Sequence, residues 1–213
     1  MFSKKKGVTS SFRTVKRFDQ LRACDLVTFK YRQILPQGIS GETLHVDSVG
    51  TYDYGGEVVA DFRLSHSSGI RVNAIYDAEN DEVTLSSKIA HSEIIEMFDD
   101  DDLARVFDPT LDRVKLSLNS EETKLSRKPW VCAKYQRTVC EGMAYYYAED
   151  RREQGVSKFE DESMPFMYFE LKGDSDHHAL SIEVWEDGET EFFADLTVAA
   201  SVVDVYLPSS NNG

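Results

Sequence analysis

Asp174, Asp176, His177 and His178 form the densest grouping of potential metal ligands in the chain. Carboxylates and imidazoles together suit a divalent cation, and a metal-bound water is a common route to hydrolysis. Their spacing weighs against that use. Neighbours on a strand point to opposite faces, so His177 and His178 share a metal only from an irregular turn. A solvated loop is therefore the preferred reading, and a small metal-dependent hydrolase using these four residues is the alternative. Nucleophilic catalysis has no handle: there is no Gly-x-Ser-x-Gly elbow and no cysteine in a nucleophile motif. The acids are too numerous to single out a glycosidase pair. Gly38 and Gly41 invite comparison with a phosphate loop, but no Gly-Lys-Ser/Thr follows, and Glu42 to Val49 alternates as a strand. No catalytic residue is assigned and no cofactor is expected.

A second candidate is the stretch Thr51-Tyr52-Asp53-Tyr54-Gly55-Gly56. Two glycines permit the positive φ of a tight hairpin. Tyrosines exposed on a rigid turn are good binding material. Tyr52, Asp53, Tyr54, Gly55 and Gly56 are thus the expected binding residues.

The elements that would position these groups recur. Residues 57–98 and 164–206 follow the same order at a nearly constant separation: Phe62-x-Leu64 over Phe169-x-Leu171, then a polar turn and an alternating run. An acidic turn comes next, then Val83-x-Leu85 over Glu191-x-Phe193, and each closes on an apolar pair, Ile94-Ile95 or Val202-Val203. Period-two alternation rich in β-branched and aromatic residues predicts half-buried strands, and the Ser-Gly and Asp-Gly turns predict antiparallel meanders with one wet face. The expected fold is α+β and mainly β: two tandem related β-meander units, each ending in a short helix, with Ile94, Ile95 and Phe98 of the first helix facing inward. The expected layout is a basic N-terminal arm (1–20), a first unit (21–107), a connector (108–129), a second unit (130–207) and a tail (208–213). Strands are expected at Leu26–Tyr31, Trp130–Tyr135 and Met143–Glu149. The acidic run Asp99–Asp102 lacks the ligand spacing and glycine of a calcium loop and reads as the start of a helix.

With 213 residues, 41% of them hydrophobic, the chain can bury a substantial core without disulfides or structural metal. Its net charge of −14, without a basic stripe outside the arm, disfavours nucleic acid. The three cysteines, Cys24, Cys132 and Cys140, match no zinc spacing; they read as buried thiols of a reducing compartment. Neither a secretory signal nor a membrane-length apolar run is present, so a cytoplasmic body is expected. Lys4, Lys5, Lys6, Arg13, Lys16 and Arg17 all precede the first acid, Asp19. Residues 1–18 therefore read as a candidate for weak contact with an anionic membrane, aided by Phe2, Phe12 and Phe18.

Three patterns carry a resemblance: Leu21-x-x-x-Asp25-Leu26-Val27, then Val46-x-x-Val49-x-x-Tyr52-Asp53-Tyr54-Gly55-Gly56, then Phe62-x-Leu64. Here the chain resembles an uncharacterised family of small bacterial β-rich proteins, often encoded beside phage-shock-protein-A-like membrane-remodelling proteins. The likeness spans roughly residues 21–90 and, more faintly, 130–197. Cys24 departs from the glycine expected before the aspartate. The family offers no active site to carry over. The resemblance implies a non-catalytic bacterial protein that binds a protein partner in an envelope-stress or membrane-remodelling system.

Overall fold

The computed structural model describes residues 13–121, 127–156 and 160–210. Alternating runs become eleven antiparallel strands: β1 (Leu26–Phe29), β2 (Thr43–Asp53), β3 (Val58–Ser65), β4 (Arg71–Asp77), β5 (Glu82–Ile89), β6 (Lys115–Ser117), β7 (Lys134–Tyr147), β8 (Met164–Gly173), β9 (His178–Trp185), β10 (Thr190–Ala199) and β11 (Val203–Leu207). Two short helices, α1 (His91–Met97) and α2 (Asp100–Val106), follow β5. The strand order is β2-β3-β4-β5-β10-β9-β8-β7, and β7 returns to β2 through Thr51, Tyr52 and Asp53 paired with Tyr147, Tyr146 and Tyr145. Eight strands thus close a barrel. β1 and β11 extend the sheet beyond β2, and β6 lies beside β7.

The main apolar phase of the barrel strands faces outward, and the chain covers most of it, while Tyr52, Ala144, Tyr146 and Phe166 form a smaller cluster inside. Phe62, Leu64, Phe169 and Leu171, expected in the core, are all buried. Over β2–β5, Val15, Phe18 and Leu21 of the N-terminal segment and Leu35 and Ile39 of the 30–42 loop complete one core. Over β7–β10, Ile94, Met97 and Phe98 from α1, with Leu103 and Val106 from α2, complete a second. Removing side chains of this size from water is worth about 1.5–3 kcal/mol each, which makes these two layers the main source of stability. Asp99 caps α2, its side chain accepting from the backbone N–H groups of Asp101 (3.0 Å) and Asp102 (3.3 Å), so the acidic run starts a helix as expected. Among the described residues no helix is long and apolar enough to cross a membrane.

Several expectations change. The strands expected at 130–135 and 143–149 are not separate: one strand, β7, runs from Lys134 to Tyr147, bulged near Val139. The first unit ends in α1, but the second ends in a 3-10 turn, Ala200–Val202, followed by β11. The period-two run after that turn supplies the partner that the edge of β1 needs, which a helix would not. Ile95, expected inward, is 48% exposed, because the short α1 buries only the stripe of Ile94 and Met97. Cys24 and Cys140 are not buried; only Cys132 is, and all three are free thiols. Cys24 has φ +71°, a backbone conformation that ordinarily favours glycine. Asp25, fully buried, accepts from Arg22 N and Ser209 N, both 2.8 Å, and pairs with Arg13, tying the segments at Arg13 and Ser209 to the barrel. Phe18 is part of the core against Phe62 at 5.2 Å and is not free to enter a membrane. Phe2, Phe12 and the lysines at 4–6 lie outside the described residues.

Candidate functional site

Because the apolar phase faces outward, the polar phase of the same strands is enclosed. The inward positions follow from register: Tyr52 beside Val59 and Tyr146, Asn73 beside Arg63 and Ser86, and Asp195 beside Ser86. Ser181 beside Glu170 and Glu183 beside Tyr168 complete the ring. Large inward rings fit here because the neighbouring strand gives way. A Cβ on Gly50 would lie 2.2 Å from the Tyr146 hydroxyl, and one on Gly142 would lie 2.5 Å from the Tyr168 ring, so glycine makes room for a tyrosine at both places.

Three carboxyl groups sit in the middle of this interior. Asp61 is 0% exposed, Glu183 7% and Asp195 4%. Glu183 Oε1 accepts from the Tyr52 hydroxyl at 3.0 Å, and Asp195 accepts from Ser181. Asp61 Oδ2 accepts from Asn73 Nδ2 at 3.2 Å and lies 3.5 Å from Arg63 Nε. Asp61 Oδ1 and Glu183 Oε2 are buried without a hydrogen-bond partner. Burial lifts all three acids: Asp61 to about 6, Asp195 to about 6, and Glu183 to about 8, the last also raised by Glu191, Asp61 and Asp195. Burial likewise raises Tyr54, and pushes Tyr146 up to about 12.

These groups line a central chamber of about 50 Å³, walled also by Tyr54, Ile75 and Phe193. A cup of about 390 Å³ opens from it at one end of the barrel, sharing Tyr54, Ile75, Ser86, Ser181 and Asp195 with the chamber and adding Glu57, Tyr168 and Glu170. Among the described residues, none that lines it is Lys, Arg or His. At the other end, Trp185, Tyr146, Met164 and Arg63 border a wider cup of about 590 Å³ with an acidic rim, Glu186 to Glu191. Here cations are present: Arg63 donates to the Tyr146 hydroxyl at 2.7 Å, and Lys88 pairs with Glu191.

The turn expected to present tyrosines to solvent instead delivers them to this interior. Tyr52 is buried and Tyr54 partly so, because the alternation of β2 continues through both and the barrel closes over them. Asp53 Oδ1 accepts from Gly56 N at 2.6 Å, and Gly55 and Gly56 have φ +74° and +110°, so these three shape the turn. The 174–178 segment lines neither the chamber nor the cup but borders the cup, next to Glu170, Ala179 and Thr197. His177 Nδ1 is 3.0 Å from the Thr197 carbonyl, His178 Nε2 is 2.6 Å from the Pro129 carbonyl, and Asp176 is 3.8 Å from Lys172. Among the described residues no three His, Cys, Asp or Glu side chains converge to hold a metal. Sequence reasoning missed Asp61, Glu183, Asp195 and Glu170. The available signal was an acid on the polar phase of each of four alternating runs. The chain matches no protein-family model, no curated protein and no solved structure.

Proposed function

We propose that this chain is a non-catalytic binding protein that takes a positively charged group into the barrel through the Tyr54–Tyr168 cup. The carrying observation is the pair of partnerless carboxylate oxygens, on Asp61 and Glu183, below a cup with carboxylates and no cation in its lining. A barrel stabilised by its outer layers is free to keep a polar interior, and buried acids that lack partners are costly unless something satisfies them. Nothing beside these acids resembles a nucleophile or metal centre, which favours binding over turnover. In keeping with the family resemblance, the cation is carried by a protein partner in a bacterial cytoplasm, within an envelope-stress or membrane-remodelling system. The same reading treats residues 57–98 and 164–206 as copies of one ancestral meander; support comes from the matched order of β3–β5 and β8–β10 and the matched burial of Phe62 with Phe169 and Leu64 with Leu171.

The test is retention of the native partner by the parent and by Thr197→Lys, which places a lysine in the cup. The parent is expected to retain a partner that the variant loses while its melting temperature holds. Equal retention by both proteins contradicts the reading.

A further inference from the structure

Resting on that binding reading, we infer that the group bound is a primary alkylammonium, its –NH3+ in the central chamber and its alkyl stem in the cup between Tyr54, Ile75 and Tyr168. Charge comes first. The chamber collects carboxyl groups from three strands, Asp61 on β3, Glu183 on β9 and Asp195 on β10, and one oxygen each of Asp61 and Glu183 has no donor. The single cation in contact is Arg63, which reaches Asp61 from the other end of the barrel and spends a second N–H on Tyr146. Glu170 from β8 and Glu57 ahead of β3 add a fourth and a fifth acid at the cup, and Glu191 from β10 is held by Lys88 and Trp185 in the opposite cup. β4 and β5 contribute only uncharged side chains to the chamber, Asn73, Ile75 and Ser86, and β2 and the turn after it contribute the phenols Tyr52 and Tyr54. Lys172, the inward position beyond the rim, turns toward Asp176 at 3.8 Å.

Size and donor count then select among cations. A void of about 50 Å³ holds a few water-sized groups. An ammonium fits it with three donors for the open oxygens, whereas a guanidinium is larger and planar, and a quaternary ammonium has no donor to offer. A divalent metal lacks its ligand set, since no three candidate side chains converge among the described residues. Tyr54 and Tyr168, edge to face at 5.2 Å, supply apolar ring surface for the alkyl stem.

The chemistry is shared by a free alkylamine and by a lysine side chain, and the probes separate them. Calorimetric titration of the full chain with n-butylamine, Nα-acetyl-lysine amide, n-butanol and tetramethylammonium is expected to show binding of the first alone (a free amine) or the first two (a lysine side chain). The affinity should strengthen by up to about tenfold per pH unit between pH 6 and 8, because the cation displaces protons from the chamber acids. Glu183→Gln should weaken n-butylamine tenfold or more, and Thr197→Lys, outside the chamber, should abolish binding even if Glu183→Gln fails to fold. Lys88→Met, at the opposite cup, should leave it unchanged. No binding of n-butylamine between pH 6 and 9 overturns the inference, as does equal binding of n-butanol or tetramethylammonium, or undiminished binding by Thr197→Lys. If partner retention still depends on Thr197 while n-butylamine does not bind, the ammonium assignment fails and the binding reading stands.

Discussion

The two ends of the barrel are built alike and charged differently. Each is a cup walled by tyrosine and rimmed by acids, and each owes its ring position to a glycine, Gly50 under Tyr146 and Gly142 under Tyr168. At the Trp185 end, Arg63 and Lys88 already answer the carboxylates. At the Tyr54 end the lining has no cation among the described residues, and the chamber acids beside it retain open oxygens. One end sets cations of its own against part of its acid; the other, among the described residues, sets none. The difference teaches that acid content alone does not distinguish the two ends, whereas the partnering of each acid does.

The largest effect expected is on the wall that both ends share. Phe62→Ala removes a ring buried beneath Phe18 and Arg152 and should cost about 3–5 kcal/mol in urea unfolding, a change that affects both cups together. A loss below about 1 kcal/mol would mean that the outer layer is not the core.

Next is Glu183→Gln. The folded carboxyl titrates near pH 8 and its ordinary value is 4.5. The unfolded chain therefore loses this proton first as pH rises. Stability should fall through the window from about 4.5 to about 8, then level off. The variant, which keeps an acceptor for Tyr52, should be more stable than the parent above pH 8 by on the order of 2–4 kcal/mol, with the gap closing toward pH 4. Parallel stability curves for the two proteins would show that Glu183 is not held neutral by burial.

The glycine pair sharpens the contrast further. Gly142→Ala and Gly50→Ala should each cost about 1–3 kcal/mol through crowding, but only Gly142→Ala should weaken ammonium binding, since it displaces Tyr168 from the cup wall. Matched losses of binding in both variants would erase the distinction between the ends. The smallest effect is Lys88→Met, an exposed ion pair with Glu191, worth roughly 0–1 kcal/mol in thermal unfolding.

Much of the wall was legible in the sequence. Phe62-x-Leu64 and Phe169-x-Leu171 identify strand phase because alternating apolar residues must be covered somewhere, and the acidic turn at 186–189 and the capped helix at 99–106 follow local rules. Closure was not legible. Period-two alternation says that Asp61, Glu183 and Asp195 share a face opposite the core; it does not say whether that face meets bulk water or the inside of a barrel. Pairing of Tyr52 with Tyr146 across about ninety residues settles it, and no local signal encodes that contact. The same gap made Tyr52 and Tyr54 look like an exposed turn. His177 and His178 drew attention by density alone, and each ring spends a nitrogen on a backbone carbonyl.

The most direct measurement is the position of bound n-butylammonium, read by intermolecular nuclear Overhauser effects in the full chain at pH 8. Its methylene protons should contact the rings of Tyr54 and Tyr168 and the methyl groups of Ile75, and should show none to the Trp185 indole. Contacts to Trp185 in place of Tyr54 and Tyr168, or no contact to any of them at saturating amine, would contradict the account.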